Sequence, residues 1–286
     1  MIFLNRQDAK KIIIGVWRAI PLLVFAIFLG ACAVMRTPEH TRIALFAPFE
    51  GRYREIGYNA LYAARLALAD TDNETVDLLA VDSGGTEVVN HAKALAQDPL
   101  VMAAIVLGYD GTAPDALEAF GDIPVLIVGD WGATPIGNNV FIFSNPQIDQ
   151  QLTVSPRISV TDAAQITTPL VGGDVFALEG FAKLRNSLDG VTVLSSGDLL
   201  DNSDPVDADF IRRYKANDPF APQPGLLAIL THTATAMAAF WSSSGSRATT
   251  RYFLATNYNF HNGYWADAPI HSYHYINGSL TEGIVK

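Results

Sequence analysis

Few residues of this chain stand in patterns that do chemistry. Leu79-Ala80-Val81-Asp82-Ser83-Gly84 sets a carboxylate and a hydroxyl after an apolar run. Hydrolysis by paired acids needs a second such carboxylate sharing one proton in an all-β frame. The surroundings of Asp82 instead alternate strand and helix patterns, and the sequence has no second Asp-Ser-Gly or Asp-Thr-Gly. His271 and His274 are the nearest pair among the six histidines. On an extended segment, positions three apart point to opposite faces, which is wrong for one metal ion. The sequence has no HExxH motif, nucleophile elbow, Walker loop or Gly-x-Gly-x-x-Gly either. No catalytic set, metal or cofactor is therefore expected, and the chain reads as a binding protein, not an enzyme.

Aromatic residues are the other chemical signal. Tyr53, Tyr109 and Trp131 fall in segments that read as loops, where an aromatic ring either caps the apolar part of a ligand or packs between loop and helix. Tyr58 falls on a helical surface.

Cys32 is the only cysteine, so no intrachain disulfide can form. Its position suggests a role. Arg6, Lys10, Lys11 and Arg18 precede an uncharged run of 13 residues, Ala19 to Ala31. That length suits the apolar core of a signal peptide and falls short of the roughly 20 residues that span a bilayer. Extending the run upstream would bury Arg18 in hydrocarbon, which is costly. The run ends Leu29-Gly30-Ala31-Cys32, which resembles a bacterial lipobox whose cysteine takes the lipid. An uncleaved N-terminal anchor is the alternative, and both place the rest of the chain outside the cytoplasm. Residues 1–31 are thus expected to be a lipoprotein signal peptide, and 32–41 a lipidated tether to the membrane.

The chain of 286 residues carries a net charge of −10. Removal of residues 1–31 leaves 15 basic against 28 acidic residues, a net of −13. Nucleic acid would be repelled by that balance, and an acidic globule tethered by lipid would not adhere to anionic headgroups.

From Arg42 the elements alternate. Apolar runs at 43–49, 76–81, 101–107 and 123–128 read as buried parallel strands. Helical periodicity fills 50–70, 86–97 and 113–120 between them. Short right-handed crossovers then give an α/β fold, a parallel sheet with helices on both faces. In such sheets a ligand lies outside the carboxyl ends of the strands, so the loops at 49–53, 82–86, 108–112 and 129–135 share one rim. Residues 145–173 carry weaker signals, with order expected only near 163–170. Beyond them structure is expected to resume at Asp174-Val175-Phe176-Ala177, followed by a helix to Leu188, a strand at 191–195, helices at 208–216 and 225–241, and extended segments at 251–256 and 271–276. Asn277-Gly278 reads as a turn.

Several stretches, in order, resemble one family, the type I periplasmic binding proteins of the leucine/isoleucine/valine branch. They are RIALFAPFEGRYREIGYNALYAARLALAD, VDSGG, VLGYDGTAPDAL, VGDWGATP and VFIFSNP. FIRRYKANDPFAPQPGLLAILTHTATAMAAF and PIHSYHYINGSLTEGIV complete the likeness, which covers most of 42–144 and 174–286. The resemblance implies two lobes that close over a small ligand, usually an amino acid, for an ABC permease. It further implies that Thr112, beside Gly111, and Gly132, Ala133 and Thr134 hold the ligand carboxylate, although both threonines also suit plain helix caps. Asp198 roughly matches the acid that pairs with a ligand ammonium, and also reads as a solvated loop acid.

The sequence departs from the family where fewer than 30 residues separate Pro146 from Asp174. The second lobe is therefore expected to be reduced. The first lobe is assigned to 42–144 with a return at about 205–256, and the second to 145–204 with about 257–286. Two functions fit: solute capture for a permease, or an envelope-anchored regulatory or protein-interaction module on the same fold.

Overall fold

The computed structural model describes residues 40–283 other than 72, 168 and 244. The expected signal peptide, Cys32 and the tether as far as residue 39 lie outside the described residues. Thr41, assigned to the tether, already pairs with Val76.

Strand β1 (Thr41–Ala47) is buried from Ile43 to Ala47, as its unbroken apolar run requires. A 3-10 turn at Gly51–Tyr53 leads into helix α1 (Arg54–Asp70), which buries Ile56, Ala60, Ala64 and Ala67. Then follow β2 (Val76–Asp82), α2 (Val88–Gln97), β3 (Val101–Val106), α3 (Pro114–Ala119), β4 (Val125–Val128) and β5 (Val140–Phe143). These strands pair in parallel in the order β2-β1-β3-β4-β5. Two-residue strands β8 (Phe260–His261) and β9 (Tyr264–Trp265) extend the sheet beyond β5.

The second sheet is smaller. It runs β11 (Ser279–Glu282), β10 (His271–Ile276), β7 (Val191–Ser195), β6 (Leu170–Gly172). Only β6 and β7 are parallel; β10 is antiparallel to both of its neighbours. The expectation of parallel sheets thus holds for β1 to β5 and β9 of the large one, whose edge strand β8 is antiparallel, while the small one is mixed. Asn277 and Gly278 both take positive φ, +53° and +82°, and close the β10–β11 hairpin.

Short helices α4 (Ile148–Gln151), α5 (Val160–Ala163) and α6 (Glu179–Ala182) flank β6. Three longer helices return to the large sheet: α7 (Pro205–Ala216) packs on α1, α8 (Ala228–Ser242) on α1 and β3, and α9 (Arg247–Asn257) on α8 and β3. The segment 251–256, expected to be extended, is therefore helical. Its Thr, Tyr and Phe content favours strand, but Ser246 caps the helix through the N–H of Thr249, and Thr250 and Leu254 are buried. Asp174–Ala177 forms a 3-10 turn, and the helix expected after it to Leu188 is reduced to the four residues of α6.

The chain crosses between the sheets after β5, after β7 and after β9, so residues 260–265, assigned above to the second lobe, pair in the large sheet. The crossings are tied together. The N–H of Asn145 donates to Ser196 Oγ at 2.9 Å, Ser196 Oγ donates to Pro269 O at 2.7 Å, and Asn145 Nδ2 donates to Ala268 O at 2.8 Å.

Candidate ligand-binding site

The four rim loops follow the carboxyl ends of β1 to β4. The N–H of Phe49 donates to Asp82 Oδ1 at 2.6 Å and the N–H of Ser83 to Ala47 O at 3.0 Å, which ties the first loop to the second. Asp82 therefore serves as a loop anchor. The Oγ of Ser83 is buried and has no hydrogen-bond partner.

Three aromatics stack through the rim. Tyr109 meets Tyr53 edge-on at 5.7 Å and Trp131 edge-on at 5.6 Å. Trp131 is buried and donates Nε1–H to Val128 O at 2.6 Å. The hydroxyl of Tyr109 is buried without a partner, and that burial, with the neighbouring Tyr53, raises its pKa strongly. Tyr58 is exposed, as its helical position suggests.

Arg157, from the segment between α4 and α5, reaches across to these loops. Its Nη1 donates to Trp131 O at 2.9 Å and weakly to Thr112 Oγ1 at 3.4 Å, and its Nη2 donates to Tyr109 O. The guanidinium also lies 5.6 Å from the centre of the Tyr109 ring. A side chain at Gly132 would leave no room for this: with φ +60°, its Cβ would stand 2.9 Å from both Arg157 Cγ and Pro156 Cβ. Beneath Arg157 lies a cavity of about 330 Å³ lined by Pro48, Tyr53, Ser83, Tyr109, Asp110 and Ser159. That volume is at the lower edge of the range for small-molecule sites.

The groups assigned to a ligand carboxylate are otherwise engaged. Thr112 is buried and donates Oγ1–H to Gly108 O at 2.8 Å. Gly111 packs against Phe46, Ser83 and Val106. The N–H of Gly132 donates to Asp130 Oδ1 at 3.1 Å, and Ala133 O accepts from Tyr264 at 3.4 Å. Thr134 is exposed. Asp198, also exposed, pairs with His271 at 3.0 Å. His274 bonds instead to Thr192. Of the residues singled out in the sequence, only Tyr53 and Tyr109 line the cavity; Trp131 and Thr112 meet Arg157 outside its lining, and Gly111, Gly132, Ala133, Thr134 and Asp198 are not part of it either.

Two acids, the buried Asp174 and the half-buried Asp130, stand at the junction of the two sheets. Asp174 accepts from the N–H of Asp130 at 2.6 Å and from Ser195 Oγ. Burial lifts its pKa to about 6. Asp130 is raised as well, by burial and then by the charges of Asp149 and Asp174. Asp174 also lines a cavity of about 50 Å³ with Glu55, Asn59, Trp131 and Thr231. That space suits water rather than a solute. Among the described residues, no group of three or more His, Cys, Asp or Glu is arranged to hold a metal ion, and no helix is long and apolar enough to cross a membrane.

No protein-family model matches the chain, and no curated protein sequence matches it either. Solved structures do. The branched-chain amino acid transporter substrate binding protein LivJ from Streptococcus pneumoniae, solved with isoleucine, is similar with a TM-score of 0.65 at 13% identity. The match covers 86% of this chain and 99% of that one. The leucine binding protein LivK from Thermotoga maritima gives a TM-score of 0.66 at 14% identity, over 85% and 97% of the two chains. The fold is that of a type I periplasmic binding protein. An ABC transporter solute binding protein from R. palustris, solved with benzoate, shares it with a TM-score of 0.60 at 12% identity, over 84% and 94%.

Within this fold the described residues form a seven-stranded and a four-stranded sheet. Arg157 and Ser159 belong to the shortened connection that the sequence left without assigned order. Sequence reasoning did not single out as site residues Arg157 or Ser83, which line the larger cavity, or Asp174, which lines the smaller one. Asp174-Val175-Phe176 offered only a charge beside an apolar pair, and Arg157 sits in a stretch without periodicity. Ser83 was visible, as part of a motif weighed for hydrolysis.

Proposed function

We propose that this chain is an extracytoplasmic solute-binding lipoprotein, not an enzyme, that captures an amino acid or small carboxylate between its lobes and delivers it to an ABC permease. The observation that carries this reading is the 330 Å³ cavity, to which both sides contribute polar groups: Ser83 and Tyr109 from the rim, Arg157 and Ser159 from the connection. Two of the three proteins of similar fold described above were solved with a ligand that carries a carboxylate, isoleucine in one and benzoate in the other. A ligand that contacts both lobes stabilises the closed arrangement over the open one, and a permease reads that difference. The order of residues 145–167 over the cavity weighs for capture over a role confined to protein contacts.

The test is a thermal-shift screen of amino acids and small carboxylates. A ligand at a hundred times its dissociation constant stabilises by about 2.7 kcal/mol, a readable shift. A cooperative melt that no compound moves would count against capture. The lipid anchor is tested separately, by loss of fatty-acid labelling in Cys32→Ser.

A further inference from the structure

We infer that Arg157 is the receptor for the ligand's negative charge, and that the site takes a monocarboxylate docked side-on against its guanidinium. This rests on the solute-capture reading and departs from the assignment of the carboxylate to Thr112, Gly132, Ala133 and Thr134.

A guanidinium has five N–H donors. Both hydrogens of Nη1 and one of Nη2 are directed to Thr112, Trp131 and Tyr109. Nε–H makes no hydrogen bond among the described residues, and Nη2 spends one of its two hydrogens on Tyr109 O; Nε and Nη2 share one edge of the fork. That edge matches the two oxygens of a carboxylate. The bonds to rim carbonyls hold the guanidinium in place before a ligand arrives, which lowers the ordering cost of binding.

Two further observations point into the same cavity. Ser83 Oγ and the Tyr109 hydroxyl are buried and unpartnered, and both residues line it with Arg157. Buried hydroxyls without partners are costly, and a bound acceptor resolves them. By contrast, the N–H of Gly132 and the hydroxyl of Thr112 already have partners within the protein.

Asp110 sets the charge limit. It is the one acid in the lining, exposed, and accepts the N–H of Gly85 at 3.4 Å. One cation and one anion around the cavity suit a ligand with a single carboxylate, with or without an ammonium, and oppose a second negative charge.

The experiment uses the full chain in detergent micelles, with binding read by calorimetry. The probes are butyrate, benzoate, phenylacetate and L-leucine, each beside its amide, with succinate as the doubly charged probe. An acid should bind about tenfold or more tighter than its amide. Arg157→Gln should remove that preference, and Arg157→Lys should restore it only in part, because an ammonium cannot dock side-on. Ser83→Ala tests the same geometry without touching the cation and should weaken the same acid. Asp110→Asn should improve succinate relative to butyrate. An acid bound no better than its amide, or bound unchanged by Arg157→Gln, would overturn the role of Arg157 and leave solute capture standing. A cooperative melt with no binding of any probe would overturn both.

Discussion

Asp130 and Asp174 lie 44 residues apart in sequence, yet the N–H of Asp130 donates to Asp174 Oδ2 at 2.6 Å across the junction of the two sheets. Burial holds the Asp174 carboxyl near a pKa of about 6, against an ordinary value of 3.8. The folded protein therefore keeps a proton there that the unfolded chain has already lost, and stability falls as pH rises through that window. Asp130 and Glu55, raised first by burial, act with the same sign. Each pH unit in the window corresponds to about 1.4 kcal/mol for a fully buried group. The melting temperature should be higher at pH 5 than at pH 7.5, and Asp174→Asn should flatten the slope. A melting temperature that climbs from pH 5 to 7.5 would refute this assignment.

The knot at the crossings is equally testable. Ser196→Ala leaves the N–H of Asn145 and the carbonyl of Pro269 without their partner. Loss of buried hydrogen bonds of this kind costs about 1–3 kcal/mol. Urea unfolding should show a lower midpoint at unchanged slope, and an unchanged midpoint would mean that water replaces the hydroxyl.

Arg247 closes the N-terminus of α9 onto the large sheet. Its guanidinium donates to Val101 O at 2.8 Å, Ala96 O at 2.9 Å and Asp98 O at 2.6 Å. Its salt bridge to Asp122 has an exposed partner and adds little. Arg247→Ala should cost about 2–4 kcal/mol by stranding those carbonyls, and Arg247→Lys should recover less than half. Chemical denaturation of both variants decides it; full rescue by lysine would show that charge alone matters.

Gly57 reverses an ordinary helix rule. Alanine in a helix usually gains about 1 kcal/mol over glycine. Here a Cβ would stand 2.1 Å from Pro48 O, a backbone atom that cannot swing away. Gly57→Ala should destabilise by roughly 1–3 kcal/mol. Since Pro48 also lines the 330 Å³ cavity, the variant should weaken ligand binding as well.

The centre of the large sheet was legible because β1, β3, β4 and β5 are buried and the helices beside them bury one stripe each, so local hydrophobic pattern and tertiary environment agree. Arg251–Thr256 shows where they part: strand-favouring residues became helix through a cap at Ser246 and burial against β3. The pocket was half legible. That Tyr53 and Tyr109 share a rim follows from the alternation of strand and helix, and both line the cavity, while Trp131 packs beside Tyr109 outside the lining. Arg157 does not, because an exposed arginine in an aperiodic stretch looks the same whether or not it meets a carbonyl 26 residues away.

The sequence by itself determined the α/β alternation and the five parallel strands at the centre of the large sheet. Those follow from residue type and spacing, which act locally and repeat. Tertiary structure alone decided that β10 runs antiparallel in the small sheet, that Asn145, Ser196 and Ala268 meet, and that Arg157 rather than a threonine faces the cavity. Each of these depends on long-range approach between single polar groups. Such contacts leave no period in a sequence, and packing and loop closure set them.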